Sequence, residues 1–229
     1  MICFKQDIAA GAVLSSVDAN LKSYELHFQY YTPKLLANIP KTVVYPHQEI
    51  EYYPSNPVAG VAGTEFTLNF NALNLSGVPR KIIMWVSESH SDIIGIKTST
   101  GPASGNLLKT DTAKSKINSV SITYGNRQSS LANATIEDLY EISKKRGLNL
   151  TYKQSTSYVG TYYAFEFGED IPLSENEAPG LNSTPQLSMT VKAVDIDNVS
   201  RNWQLNTVIF FDGVVTIVNG GSCIKQRNI

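Results

Sequence analysis

The stretch Ser119–Leu148, SVSITYGNRQSSLANATIEDLYEISKKRGL, decides the fold class. Val120, Ile122 and Tyr124 alternate with polar residues, the period of a half-buried strand. A polar turn follows. Thr135 then stands three residues before Asp138, a capping-box arrangement with Asp in place of the usual Glu or Gln. Ile136, Leu139, Tyr140 and Ile142 recur at helical spacing. Lys144, Lys145 and Arg146 place positive charge at the helix C-terminus, and Gly147 can close it in the left-handed conformation. The spacing therefore predicts one helix, over about 135–146, set among strands.

Outward from this stretch the chain reads as short strands. Ser23–Tyr30 alternates Tyr24, Leu26, Phe28 and Tyr30 against polar residues. Val43–Tyr53 is extended but carries Pro46, which suits an edge strand or irregular arm. Thr64–Leu75 places Phe66, Leu68 and Phe70 on one face. Arg80–Ser87 has an almost continuous apolar centre at Ile82, Ile83, Met84 and Trp85, as expected of a central strand buried on both sides. His90–Lys116 reads as a long loop with a short strand near Ile93–Ile96, and Thr151–Tyr158 as a shorter loop. Thr161–Phe167 is a strand, Glu169–Pro185 a second long loop, and Leu187–Val194 a cleanly alternating strand. Trp203–Phe211 and Val214–Val218 read as two strands of a hairpin turning at Asp212-Gly213. Asn219-Gly220-Gly221 ends the pattern. About eight or nine strands, one helix and long loops predict an all-β jelly-roll sandwich or barrel with an inserted helix. One domain over 1–229 is expected, with 1–20 a leader or junction segment.

Composition narrows the function. Charged residues make up only 17% of the 229, which argues against a disordered chain and is compatible with a surface covered by assembly. The net charge of −1 gives no basic field for nucleic acid, Lys225 and Arg227 being a local exception. Cys3 and Cys223 are too few for a disulfide scaffold; they sit near the two chain ends, where a bridge is conceivable, and two free thiols are the commoner reading. There is no signal-peptide pattern and no apolar run of membrane-spanning length. Sequons at Asn74, Asn133, Asn149, Asn182 and Asn198 are common in a chain rich in Asn, Ser and Thr.

Constellations for catalysis are poor. His27, His47 and His90 are not spaced as metal ligands, and His90-Ser91-Asp92 is a lone triplet in a polar loop. There is no GxSxG elbow, no Cys–His pair and no phosphate-binding glycine loop. Asp195, Asp197 and Asp212 sit near strand ends; they could bind calcium, but Asp at turns is ordinary. No catalytic, cofactor-binding or metal-binding residue is expected, and no cofactor. Tyr52, Tyr53, Tyr162, Tyr163 and Trp203 are candidates for a sugar-binding platform, with core filling the commoner role for such runs.

The order of elements carries a resemblance. SYELHFQYYTP, a Pro-rich arm with YP, and TEFTLNFNALNLSGVPRKIIMWVSES precede INSVSITYGNRQSSLANATIEDLYEIS, and the chain closes with VIFFDGVVTIVNGGSCIKQRNI. Pro79-Arg80-Lys81 entering an apolar strand, Asp138-Leu139 inside the inserted helix, and the final strands around Asp212-Gly213 ending TIVNG are its carriers. From about Val13 onward the chain resembles the C-terminal half of the double jelly-roll major capsid proteins of Polinton-like viruses, virophages and adintoviruses. The resemblance implies a non-enzymatic structural subunit, assembled in the host cell into the virion. It would pack as a homotrimer of pseudo-hexagonal outline in an icosahedral shell, beside neighbouring capsomers and minor or penton proteins. Its long loops would lie at a barrel end, and its helix along a barrel flank, bordering an apolar patch. A double barrel needs roughly twice this length, at on the order of 200 residues per barrel. On this resemblance the chain would be a fragment, a split subunit or a single jelly-roll relative. The alternative is a carbohydrate-binding or adhesive jelly roll; a β-sandwich enzyme ranks third.

Overall fold

The computed structural model describes residues 41–89, 115–181, 183–196, 200–218 and 222–226. The strand expected at Ser23–Tyr30, the segment around Ile93–Ile96, Cys3, Asp197 and Arg227 lie outside these residues. Ten strands are described: β1 (Thr42–Pro54), β2 (Val58–Gly60), β3 (Phe66–Asn74), β4 (Lys81–Glu88), β5 (Ser115–Tyr124), β6 (Arg127–Gln128), β7 (Tyr162–Glu166), β8 (Gln186–Asp195), β9 (Arg201–Val218) and β10 (Ser222–Gln226). One α-helix, α1 (Ile136–Lys145), stands between β6 and β7.

Two antiparallel sheets face each other. One runs β1-β9-β4-β7, with β2 and β10 added along β9; the other runs β3-β8-β5-β6. Counted without the short β2 and β10, the strands run 1-8-3-6 in one sheet and 2-7-4-5 in the other. First pairs with last, and successive strands from β3 to β6 alternate between layers or turn within one, which is the jelly-roll winding. Alternation explains the layers. Ile82, Met84 and Val86 of β4 and Trp203, Leu205, Ile209 and Phe211 of β9 point inward and meet Leu68, Ile117, Val120, Ile122, Met189 and Val191 of the other sheet. Each such side chain contributes about 1.5–3 kcal/mol on burial.

Five expectations are corrected. Asp212-Gly213 is not a hairpin turn. β9 continues through it for 18 residues, Asp212 pairing with Gln48 and Gly213 with His47. A two-residue turn needs left-handed backbone, whereas β1 offers a partner along 13 positions and holds β9 extended. Nor does the pattern end at 219–221, because β10 returns antiparallel along Val214–Val218. β4 is central, between β9 and β7, yet buried on one face only. Ile83 and Trp85 are half-buried on the outer face, a distinction a continuous apolar run conceals. Finally, Gln154–Tyr158 is a π-helical turn rather than loop, and Ser115–Lys116 already belongs to β5. Among the described residues β1 is an edge strand, as Pro46 suggests, although regular through that proline.

The helix forms as its signals dictate. The Thr135 hydroxyl accepts from the Asp138 N–H, the Asp138 carboxylate accepts from the Thr135 N–H, and Gly147 stands at φ +97°. Thr135 holds the Asp138 carboxyl below its usual range. Leu139, Tyr140 and Ser143 are buried beneath the helix. Ser143 was not among the expected core positions. Its hydroxyl donates to the Leu139 carbonyl at 2.7 Å and accepts the Ala164 N–H at 3.1 Å. The helix thereby covers the free edge of β7, where an unpaired backbone donor would otherwise be buried at a cost of about 1–3 kcal/mol.

At the other end of β9, Gly60 packs on Trp203. A Cβ at position 60 would lie 2.5 Å from Trp203 Cδ1 and 2.9 Å from Phe66 Cδ1, and the Trp203 and Phe66 rings stack at 5.4 Å. Gly60→Ala is expected to destabilise the domain by about 1–3 kcal/mol through overpacking, seen as a lower urea midpoint with unchanged slope. Ile82→Ala should cost about 2–5 kcal/mol, and Ile83→Ala clearly less. Equal midpoints for the two would contradict the assignment of their faces.

Candidate functional site

The residue types that sequence reading considered for chemistry are scattered. His47 lies half-buried on β1, opposite Gly213. Asp212 accepts from Gln48 and pairs with Arg80 at 3.1 Å; Asp195 is buried at the end of β8. Among the described residues no three His, Cys, Asp or Glu side chains gather where a metal could bind. No helix among them is long and apolar enough to cross a membrane.

The densest ionic cluster is a clamp. Arg146, at the helix C-cap, donates through Nε and Nη2 to both Asp170 oxygens at 2.8 and 2.9 Å, to Glu169 at 2.6 Å and to Glu166 at 3.1 Å. The Asp170 carboxylate, with Glu169 and Glu166, raises the guanidinium pKa further above its ordinary value. The Arg146 carbonyl also accepts from Lys81 Nζ at 2.6 Å. Sequence reading gave Arg146 a helix-dipole role only; its carboxylate partners lie 20 to 24 residues away, beyond any local signal. Four of the five guanidinium N–H groups are engaged, so the cluster ties α1 to the end of β7 and the loop after it.

What the described surface does offer is uncovered apolar area on the six-stranded sheet. Beyond the sandwich, the N-terminal part of β1 (42–46), the last residues of β9 (214–218) and β10 form a three-stranded arm. Its sequence is β-branched: Thr42, Val43, Val44 on one strand, Val214, Val215, Thr216, Ile217, Val218 on the next. None of these side chains is buried. Val44, Tyr45 and Ile224 are exposed by 57%, 53% and 50%. β1 and β10 pack substantially on β9 alone. Lys225 of the arm pairs with Glu49 at 3.2 Å, and Cys223 is an exposed free thiol. The helix does not border this patch. It stands at the β7 edge, across the sheet from β1.

Further along the same sheet, on its outer face, Tyr52, Trp85 and Tyr162 form a row across β1, β4 and β7. Of the aromatic candidates read from sequence, Trp203 and Tyr163 are core residues, Trp203 wholly buried and Tyr163 donating to the Ile117 carbonyl at 3.4 Å. Tyr52 and Tyr162 do reach the surface, and Trp85, read as core, joins them.

Arg146→Ala is expected to lower stability by about 2–4 kcal/mol, the cost of an unpaired buried partner reduced for partial exposure. Arg146→Lys should recover only part, since an ammonium cannot span both Asp170 oxygens. Chemical denaturation of the three proteins checks this.

Comparison with known proteins agrees with this architecture. Residues 52–158 match the family described as the major capsid protein V20 C-terminal domain. The putative capsid protein V20 of Sputnik virophage is 25% identical over 235 residues, which cover 93% of this chain and 38% of that protein. Among solved structures, a chain in the cryo-EM structure of Sputnik virophage superposes with a TM-score of 0.71 at 24% identity, covering 85% of this chain and 41% of the other. The mavirus major capsid protein crystal structure gives 0.67 at 14% identity, covering 87% and 44%. The chain thus spans well under half the length of these relatives, and the two structural likenesses speak for the fold. The matched segment and the jelly-roll winding together make the chain similar to the virophage-type major capsid proteins.

Proposed function

We propose that this chain supplies one jelly-roll barrel of a capsid shell and that the three-stranded arm is where it joins its neighbours. The arm carries the reading. A sheet extension with β-branched residues on both faces and exposed edges is an association hazard in an isolated domain, and becomes useful once a neighbouring subunit covers it. The low charge of the whole chain points the same way.

The shares of its relatives that the chain spans, 38% to 44%, fit one barrel of a two-barrel subunit, with residues 1–229 forming that barrel and its junction. In this reading the subunit trimerises with pseudo-hexagonal outline, and its trimers meet other capsomers and minor or penton proteins in an icosahedral virion. Fully desolvated apolar contacts of the arm would dominate the binding energy.

Val44→Asp with Ile224→Asp tests this, since both side chains are exposed and their replacement leaves the core intact. In the full-length subunit the double variant is expected to keep the parental melting temperature within about 1–2 °C, as for surface substitutions, while losing higher assembly by mass photometry and electron microscopy. Unaltered shells would remove the arm from the interface. A parental subunit that stays monomeric across a range of salt would overturn the capsid role.

A further inference from the structure

We propose that the groove beside Trp85, on the outer face of the six-stranded sheet, binds a neutral carbohydrate. The inference does not depend on the capsid reading. The groove has a volume of about 460 Å³ and is lined by Tyr52, Pro54, Trp85, Ser87, Gln204 and Asn206, together with Glu88. That volume lies within the usual range for small-ligand sites, about 300–1,000 Å³.

Three features select the ligand. The first is the aromatic row. Trp85 stacks with Tyr52 at 6.4 Å and 24°, and with Tyr162 at 6.0 Å and 27°. Such rings offer a rigid apolar platform with polar tips, suited to the C–H face of a pyranose. The second is charge. Glu88 has the lining's only ionisable carboxylate, and it is withdrawn: its side chain is buried and Arg201 lies 3.2 Å away. An ionic ligand would meet no counter-charge.

The third is the hydrogen-bond balance. Tyr52 donates to Asn206 Oδ1, and Asn206 Nδ2 donates to Ser87 Oγ at 2.9 Å. Ser87 donates to the Glu88 carbonyl at 3.2 Å, and Gln204 Nε2 to the Ser55 carbonyl at 2.7 Å. These bonds hold the polar side chains in place before any ligand arrives. Among the described residues they leave the Trp85 indole N–H and the second Gln204 Nε2 hydrogen as donors, and Gln204 Oε1 and the remaining Tyr52 oxygen lone pair as acceptors. A hydroxyl both donates and accepts, so a polyhydroxylated ligand answers both kinds of group. A proline-rich peptide, the other occupant of aromatic grooves, lacks N–H donors and would leave the two acceptors desolvated.

The groove also stands apart from the arm. Tyr52 pairs with Val208 and Val44 with Thr216, eight residues or about 25 Å along the strand at 3.3 Å per residue.

The experiment is an array of neutral oligosaccharides probed with the full chain, with hits measured in solution by ligand-observed NMR and by competition with a proline-rich peptide. Trp85→Ala and, as a milder change at an exposed position, Tyr52→Ala are each expected to weaken binding about tenfold or more, while Val44→Asp with Ile224→Asp leaves it unchanged. Circular dichroism confirms that each variant is folded. If Trp85→Ala unfolds the chain, Tyr52→Ala decides alone. Absence of neutral-glycan binding, binding indifferent to the folded groove variants, or tighter capture of the peptide than of any glycan would overturn the proposal. Because the arm variant reads assembly and the groove variants read binding, failure of one reading leaves the other standing.

Discussion

Everything in the six-stranded sheet hangs on β9. Its 18 residues pair with β1 and β2 along one side and with β4 and β10 along the other. A strand this long stays extended only if partners satisfy its backbone groups over its whole length. β4 covers Trp203–Phe210 and β10 covers Val214–Val218, so the second side changes partner near Asp212. That change divides the sheet into a part packed on the second layer and a part that projects. The core and the arm are consequences of the same strand.

The opposite edge is closed by different means. Among the described residues β7 has no strand beyond it, and α1 takes that place through Ser143, Leu139 and Tyr140. A helix cannot continue a β ladder, but one hydroxyl at the right turn can accept an edge amide. Arg146 then secures the helix end to the β7–β8 connection through three carboxylates. One edge is therefore protected within the chain, whereas the described residues leave β1 uncovered along the other. In the proposed reading this asymmetry directs association to the β1 side, away from the helix.

The outer face of the sheet carries two kinds of surface. The arm is β-branched and simple, suited to broad packing against another protein. The groove around Trp85 is aromatic, amide-rich and internally hydrogen-bonded, with few unspent donors and acceptors. Area and shape govern the first, hydrogen-bond balance the second, so the two respond to different substitutions.

Sequence alone determined what is local. The capping box at Thr135 and Asp138, the apolar helical stripe and Gly147 specify α1 to within a residue, because each contact spans only a few positions. Period-two alternation likewise located β3, β5 and β8 and their inward residues. Tertiary structure decided what depends on distant partners. Asp212-Gly213 has the composition of a tight turn, but pairing with Gln48 and His47 keeps it in a strand. Ile82 and Ile83 are equal in an apolar run until the second sheet covers one face. Trp203 lies in the core because Gly60 and Phe66 reach it from another part of the chain, whereas Trp85 reaches the surface because its strand neighbours turn the other way. Chain order holds no record of which face a second layer will cover, so the arm and the groove appear only once both layers are assembled.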